Sequence, residues 1–262
     1  MMPFPSSPIT SPMRTSPAWP CPRWIAHRGA GHCAPENTLA AIRAGAARRY
    51  RMAECDVKLS ADGVLFLLHD DTLQRTSNGH GPAGAWPWAR LSQLDAGTWH
   101  SAPYAGEPLP HLTSVLRYCR ANGMNLNLEI KPNPGQAEAT GRAVVQALRA
   151  HWPPDATPPL LSSFQPAALQ AAAEADAHWP RALLLASWPR HTADALQLAQ
   201  DLDCVGLVAE HRLWQASRVQ AIHDAGLACA AYTVNDAREA ERLLALGVDS
   251  LITDAVDAFT PD

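Results

Sequence analysis

Side chains able to do chemistry recur at the ends of short apolar runs. One run ends Ile25-Ala26-His27-Arg28-Gly29 and another carries Glu54-Cys55-Asp56. A third ends His69-Asp70, and a fourth reads Asn125-Leu126-Asn127-Leu128-Glu129-Ile130-Lys131. Alternate side chains of a strand share a face, so Glu54 and Asp56 point one way and Cys55 the other. In the fourth run every odd position is polar and every even one apolar, which groups Asn127, Glu129 and Lys131. Three carboxylates (Glu54, Asp56, Glu129) converging on one interior cannot all stay ionised without a compensating cation. All-oxygen ligation suits Mg²⁺ or Ca²⁺, and the H-x-H pair expected of a barrel-type zinc hydrolase is absent. Arg28 and Lys131 add two cations suited to a phosphate. His27 and His69 can move protons both ways near neutral pH.

Each signal is weak alone. A Glu-x-Asp on a strand is common, Glu129 and Lys131 could be a plain ion pair, and most of the 11 histidines should be structural. Joint placement at successive strand ends carries the argument. His80, His100 and His111 have no pattern that raises them above surface residues, Trp86 and Trp88 read as local core, and Cys55 and the other cysteines read as packing.

The elements that must position these groups are legible. Candidate strands fall at 24–27, 52–57, 64–68, 125–130, 159–163, 181–186, 203–208, 227–233 and 249–253. Helices are predicted from Asn37 or Thr38 to about Arg49, from Thr113 to near Asn122-Gly123, and from Asp236 to Leu246-Gly247, each with a capping residue at its start. Only Ala61-Asp62-Gly63 and its immediate neighbours separate the second and third strands, too short for a helical crossover, so 64–68 must fold back as a hairpin. The other eight strands are each followed by enough chain for a helix. This predicts an α/β fold, a TIM (β/α)8 barrel with a β-hairpin excursion after the second barrel strand. A doubly wound sheet would share the alternation, but no G-x-G-x-x-G or G-x-x-x-x-G-K-[ST] follows any strand. Residues 77–110, with Asn78-Gly79, Gly81-Pro82 and several aromatics, break the rhythm and read as a loop-rich insertion capping one end of the barrel.

The chain of 262 residues has Lys+Arg 21 against Asp+Glu 25, a net charge of −4. That mild acidity argues against holding nucleic acid or anionic lipid by bulk electrostatics. No run of about 18 apolar residues is present to span or insert in a membrane. The six scattered cysteines form no C-x-x-C pair, which argues against a zinc ribbon or disulfide framework. Residues 1–22, rich in Pro and Ser, lack the continuous apolar run of a secretory signal. They are expected to be a disordered tail, with Trp24 opening a single domain over 23–262 and a cytoplasmic location.

From Trp24 to Asp257 the chain resembles the glycerophosphodiester phosphodiesterase family, particularly its cytoplasmic bacterial members. The resemblance rests on Ala26-His27-Arg28-Gly29, Ala34-Pro35-Glu36-Asn37-Thr38, Glu54-Cys55-Asp56-Val57, Leu68-His69-Asp70-Asp71-Thr72-Leu73, Arg75-Thr76-Ser77-Asn78-Gly79, Asn127-Leu128-Glu129-Ile130-Lys131, Leu161-Ser162-Ser163-Phe164, Tyr232-Thr233-Val234-Asn235 and Gly247-Val248-Asp249 with Ile252-Thr253-Asp254. It implies a TIM barrel with an insertion after the second histidine, hydrolysing glycerophosphodiesters to sn-glycerol 3-phosphate and an alcohol. By the same resemblance the metal ligands fall on Glu54, Asp56 and Glu129, the catalytic histidines on His27 and His69, and the phosphate-binding arginine on Arg28; Glu36 and Lys131 match motif positions in supporting roles. His27 would take the proton of the glycerol hydroxyl beside the diester, and His69 would protonate the departing alcohol, through a cyclic phosphate. A lipid-cleaving phosphodiesterase would call for an apolar or basic membrane-facing segment, which the pattern lacks. A catalytically dead ligand-binding barrel would call for a lost histidine or metal ligand, and none is lost.

Overall fold

The computed structural model describes residues 18–261. Among them nine strands form one sheet: β1 (Trp24–Ala26), β2 (Met52–Leu59), β3 (Leu65–Leu67), β4 (Asn125–Ile130), β5 (Leu160–Ser163), β6 (Arg181–Leu185), β7 (Gly206–Glu210), β8 (Ala228–Tyr232) and β9 (Ser250–Thr253). Eight run parallel, and β1 pairs with both β9 and β2, which closes the sheet into a barrel. β3 is the exception. It folds back antiparallel on the upper half of β2, with Val57 opposite Leu67 and Leu59 opposite Leu65. The turn between them needs the positive φ of Gly63, +77°. The helices are α1 (Leu39–Ala47), the short α2 (Trp88–Leu91), α3 (Leu112–Ala121), α4 (Ala137–His151), α5 (Pro166–Ala175), α6 (Thr192–Asp201), α7 (Ala216–Asp224) and α8 (Ala237–Ala245). No described helix follows β9, contrary to expectation; the chain there turns back and stacks Phe259 on Trp24 with ring centroids 4.3 Å apart.

The alternation of each strand sorts the core into layers. Ile25, Met52, Leu160, Ala182, Leu184, Val208, Ala230 and Ile252 fill the lumen. Their neighbours Ala53, Cys55, Val57, Leu126, Leu128 and Ile130 face outward onto the helices. α3 shows why such helices form and dock: Leu112, Val115, Leu116 and Cys119, spaced to share one face, are all buried. Burial of each such aliphatic side chain contributes about 1.5–3 kcal/mol. Start signals read from sequence act as caps. Thr38 Oγ1 accepts from the Ala41 N–H at 3.1 Å, and Asp236 accepts from the Glu239 N–H at 3.0 Å.

α3 begins one residue earlier than expected because His111 caps it, its Nδ1 accepting from the Thr113 N–H at 3.0 Å. His111 also stands edge-on to Trp88 at 5.4 Å, so it is structural rather than a bare surface histidine. His100, half-buried, holds the His32 carbonyl. The insertion shares a small core with β3 and the residues after it: Phe66, Leu68 and Leu73 pack with Ala83, Leu91, Ala96 and Leu109, with Trp86 and Trp88 against them. It is tied to the barrel, for instance by Glu107 accepting from the Ala40 N–H at the start of α1.

The lower end of the barrel departs from the sequence expectation. Residues 1–17 lie outside the described residues, but the fold opens before Trp24. The Trp19 indole donates to Ser250 Oγ at 3.0 Å and packs against the lumen cluster. Its ring lies so close to Gly206 that a Cβ there would sit 2.7 Å from Cζ3. A Pro-rich stretch hid this anchor, because an aromatic outside any periodic element gives no pattern. Trp19→Ala should therefore lower Tm by roughly 5–10 °C, as expected for about 2–3 kcal/mol in a chain of this size. A thermal melt unchanged from wild type would show that the ring contributes nothing.

Candidate active site

Every chemistry-bearing group predicted from sequence is at the C-terminal end of the barrel strands, where βα loops build sites in this architecture. A cavity of about 250 Å³ there is lined by His27, Arg28, Glu54, His69, Glu129 and Lys131 together with Asn127, Ser162, Phe164, Leu184, Tyr232, Thr233 and Ile252. No described side chain between residues 77 and 110 lines it, although the insertion reaches the loop after β1 at this end, with His100 on the His32 carbonyl and Tyr104 on the Cys33 carbonyl.

Oxygens of Glu54, Asp56 and Glu129 all lie within 4.8 Å of one another. Glu54 and Asp56 are buried at 3% and 1% exposure. Burial, then the neighbouring Asp56 and Glu129, pushes the Glu54 carboxyl well above its usual range. Burial and Asp56 hold Glu129 up at about 7, against the pull of Lys131. Asp56 goes the other way: burial is outweighed by Lys131, His69, Arg28 and the Asn37 amide, which keep it low. Glu54 Oε1 is buried with no hydrogen-bond partner. Crowded carboxylates, one of them with an orphaned oxygen, in an all-oxygen donor set fit a hard divalent cation.

The histidines are held alike. His27 Nδ1 donates to Asp254 Oδ1 at 2.6 Å, and His69 Nδ1 donates to Asp70 Oδ1 at 2.7 Å. A carboxylate can only accept, so both Nδ1 atoms carry protons and each Nε2 is left to exchange one. His27 Nε2 lies 3.8 Å from Glu54 Oε2, beside the carboxylate group. Burial lowers the His69 pKa despite the opposing pull of Asp56 and Asp70. At Asp254, burial is outweighed by the His27 hydrogen bond, so its carboxyl titrates below the ordinary range.

The cations are set by backbone as much as by charge. Arg28 adopts φ of +50°, a left-handed conformation that costs about 1 kcal/mol for a residue with a Cβ. Its N–H donates to Glu54 Oε2 at 3.0 Å, which holds it there. Gly31 must be glycine, since a Cβ would lie 2.0 Å from the Asp254 carbonyl oxygen. That close approach ties the loop carrying His27 to the residue that orients it. Lys131 Nζ is 3.0 Å from Glu129 and 3.5 Å from Asp56. Glu36, expected in support, receives Arg28 at 2.8 Å and Arg75 at 2.7 Å. Arg75 in turn holds Asp70, so one chain of charges runs His69–Asp70–Arg75–Glu36–Arg28. Asn37, also left-handed at φ +56°, donates to Asp56 Oδ2 at 2.7 Å.

The roles of Asp254, Asp70, Arg75 and Asn37 were not read from sequence. Asp70 is adjacent to its histidine, which was a usable signal. Asp254 is 227 residues from His27, and only the pairing of β1 with β9 brings them together.

A closed parallel barrel with two carboxylate-held histidines, a carboxylate cluster and two cations around one polar cavity defines an enzyme of the TIM-barrel hydrolase class. The chain matches the Glycerophosphoryl diester phosphodiesterase family over residues 27–258. It is 32% identical over 246 residues to YhdW of Bacillus subtilis (strain 168), named provisionally as a glycerophosphodiester phosphodiesterase, covering 91% of this chain and 96% of the relative. A glycerophosphodiester phosphodiesterase of Caldanaerobacter subterraneus subsp. tengcongensis is 27% identical over 230 residues, covering 88% of this chain and 93% of the relative. Among solved structures, an Oleispira antarctica phosphodiesterase in complex with the product sn-glycerol-3-phosphate superposes with a TM-score of 0.86 at 37% identity, covering 90% of this chain and 94% of that one. The chain belongs to the glycerophosphodiester phosphodiesterase family and is an enzyme of that class.

Proposed function

We propose that this chain hydrolyses glycerophosphodiesters to sn-glycerol 3-phosphate and an alcohol by histidine acid–base catalysis through a cyclic phosphate, with a divalent cation, Mg²⁺ or Ca²⁺, on Glu54, Asp56 and Glu129. The observation that carries the reading is the paired setting of His27 and His69. Each has Nδ1 fixed on a carboxylate and Nε2 available to a cavity that also presents cations. The metal would supply charge neutralisation at the phosphoryl oxygens and acidify the adjacent glycerol hydroxyl.

The protein's own groups do the rest. Arg28 and Lys131 bind the phosphodiester, and Glu36 with Arg75 fixes the guanidinium of Arg28. His27 Nε2 removes the proton from the glycerol hydroxyl as its oxygen bonds to phosphorus. The bond from phosphorus to the other alcohol breaks, and its oxygen takes a proton from His69 Nε2. Water then opens the cyclic phosphate with the two histidines exchanging roles. The alternative lipid-cleaving and ligand-binding readings have no observation in their favour. The six free cysteines fit a reducing, cytoplasmic setting, and no described helix is long and apolar enough to cross a membrane.

The test is product analysis on a panel of glycerophosphodiesters. Glycerol 3-phosphate plus free alcohol is expected, whereas glycerol plus a phosphorylated alcohol would reject the reading. If the carboxylates orient the imidazoles, Asp254→Asn and Asp70→Asn should each lower kcat/KM by roughly 10²-fold or more with little change in Tm. Steady-state rates within twofold of wild type would remove both residues from the mechanism.

A further inference from the structure

A group of donor side chains that the reaction does not use lies at the opposite end of the barrel. His223 is in the last turn of α7, Cys229 is on the helix-facing side of β8, and Asp249 directly precedes β9. One donor atom from each lies within 4.8 Å of the others. Asp249 Oδ2 is 3.0 Å from His223 Nε2 and also accepts the Cys229 N–H at 2.8 Å, so backbone geometry fixes the carboxylate beside the thiol. Cys229 is fully buried. His223 and Asp249 face a cavity of about 520 Å³, with Asp203 and Gln200 also on its wall and neither lysine nor arginine among its lining residues.

We infer that His223, Cys229 and Asp249 form a second metal site, selective for Zn²⁺ or a similar borderline transition-metal ion and distinct from the carboxylate cluster at the catalytic end. Nitrogen, sulfur and oxygen donors together suit Zn²⁺ far better than Mg²⁺ or Ca²⁺. A thiolate and a carboxylate neutralise a divalent ion, which suits a site whose thiol is buried while the His223 and Asp249 side chains are 37% and 38% exposed. On binding, the Cys229 thiol would lose its proton to solvent, His223 would exchange its Nε2 proton through solvent for one on Nδ1, and three metal–ligand bonds would form, with water free to supply a fourth ligand. The ion would clip α7 and β8 to the start of β9, next to the cavity wall that Trp19 also supplies. A second mixed group, His32, Cys33 and Asp257, is less suited. Its His32 and Asp257 side chains are 60% and 55% exposed, and the charge of Arg48 acts on Cys33.

Cobalt(II) chloride is the probe, titrated into metal-stripped full-length protein with excess Mg²⁺ to occupy the carboxylate cluster. A near-ultraviolet thiolate-to-cobalt charge-transfer band should rise and saturate at one equivalent, then bleach on adding zinc chloride. It should vanish in Cys229→Ser, survive in Cys33→Ser, and need at least about tenfold more cobalt in His223→Ala, whose half-exposed ring can go without unfolding the chain. Zinc at about a hundredfold over Kd should raise Tm by roughly 5 °C in wild type but not in Cys229→Ser. Turnover of a glycerophosphodiester by both Cys229→Ser and His223→Ala should stay near wild type, which separates this site from the catalytic one. No band in wild type, a band retained in Cys229→Ser, unchanged cobalt affinity in His223→Ala, or loss of the band in Cys33→Ser would each overturn the assignment.

Discussion

Glu54→Ala and Glu129→Ala should each lower kcat/KM on a glycerophosphodiester by at least about 10³-fold, the scale expected when several kcal/mol of charge stabilisation is lost at the reacting phosphate. Exhaustive chelation should have the same effect on the wild-type enzyme, and Mg²⁺ or Ca²⁺ should restore it. Three carboxylates with oxygens within 4.8 Å resist joint ionisation, and the buried Glu54 oxygen has no partner. Glu129, held up at about 7 by burial and Asp56, must shed its proton to take a cation, so metal affinity should weaken as pH falls below 7. Calorimetric titration at several pH values reads that dependence directly. Full activity in chelated protein, shown metal-free by elemental analysis, would sink the claim.

The second large effect separates the histidines. His27→Ala and His69→Ala should each cost about 10²–10⁴-fold on a substrate whose departing alcohol is poor. A leaving group such as nitrophenol departs without a proton, so His69→Ala should recover much of its loss on that substrate. His27→Ala should not, because the attacking hydroxyl still needs a base. His27 Nε2 lies beside the carboxylate cluster, 3.8 Å from Glu54, which is why it is assigned the base. A substrate with that hydroxyl removed or methylated should bind yet fail to turn over. Equal rescue of both variants would dissolve the acid and base assignments. Brisk hydrolysis of the deoxy substrate would mean that water attacks phosphorus directly.

Barrel and site were legible to different depths. Period-two alternation in 52–57 and 125–130, with the short turn at 61–63, sufficed to predict the lumen-facing carboxylates and the β2–β3 hairpin, because a strand has only two faces. The insertion was recognisable as irregular, but the contacts that seat it were not. Its seating depends on contacts such as that of Glu107 with the start of α1, and no local pattern encodes those. Trp19 was hidden for a related reason. Proline-rich chain has no period from which burial could be read, and only the open lower lumen gives that indole a place to dock.

By itself the sequence pointed to the groups that meet at this end of the barrel, His27, Arg28, Glu54, Asp56, His69, Glu129 and Lys131, and strand alternation put Glu54 and Asp56 on one face. Closure of the barrel decided how they are tuned. Pairing of β1 with β9 sets Asp254 on His27. Asp70 and Arg75 lie near His69 in sequence, but the fold is what brings Glu36 to Arg75 and links that end of the network to Arg28. Burial in the closed lumen raises Glu54 and Glu129, whereas at Asp56 it is outweighed by Lys131, His69, Arg28 and the Asn37 amide, which keep that carboxyl low. Residue type and spacing follow from the local chain, whereas desolvation and long-range electrostatic partners exist only once distant strands have met.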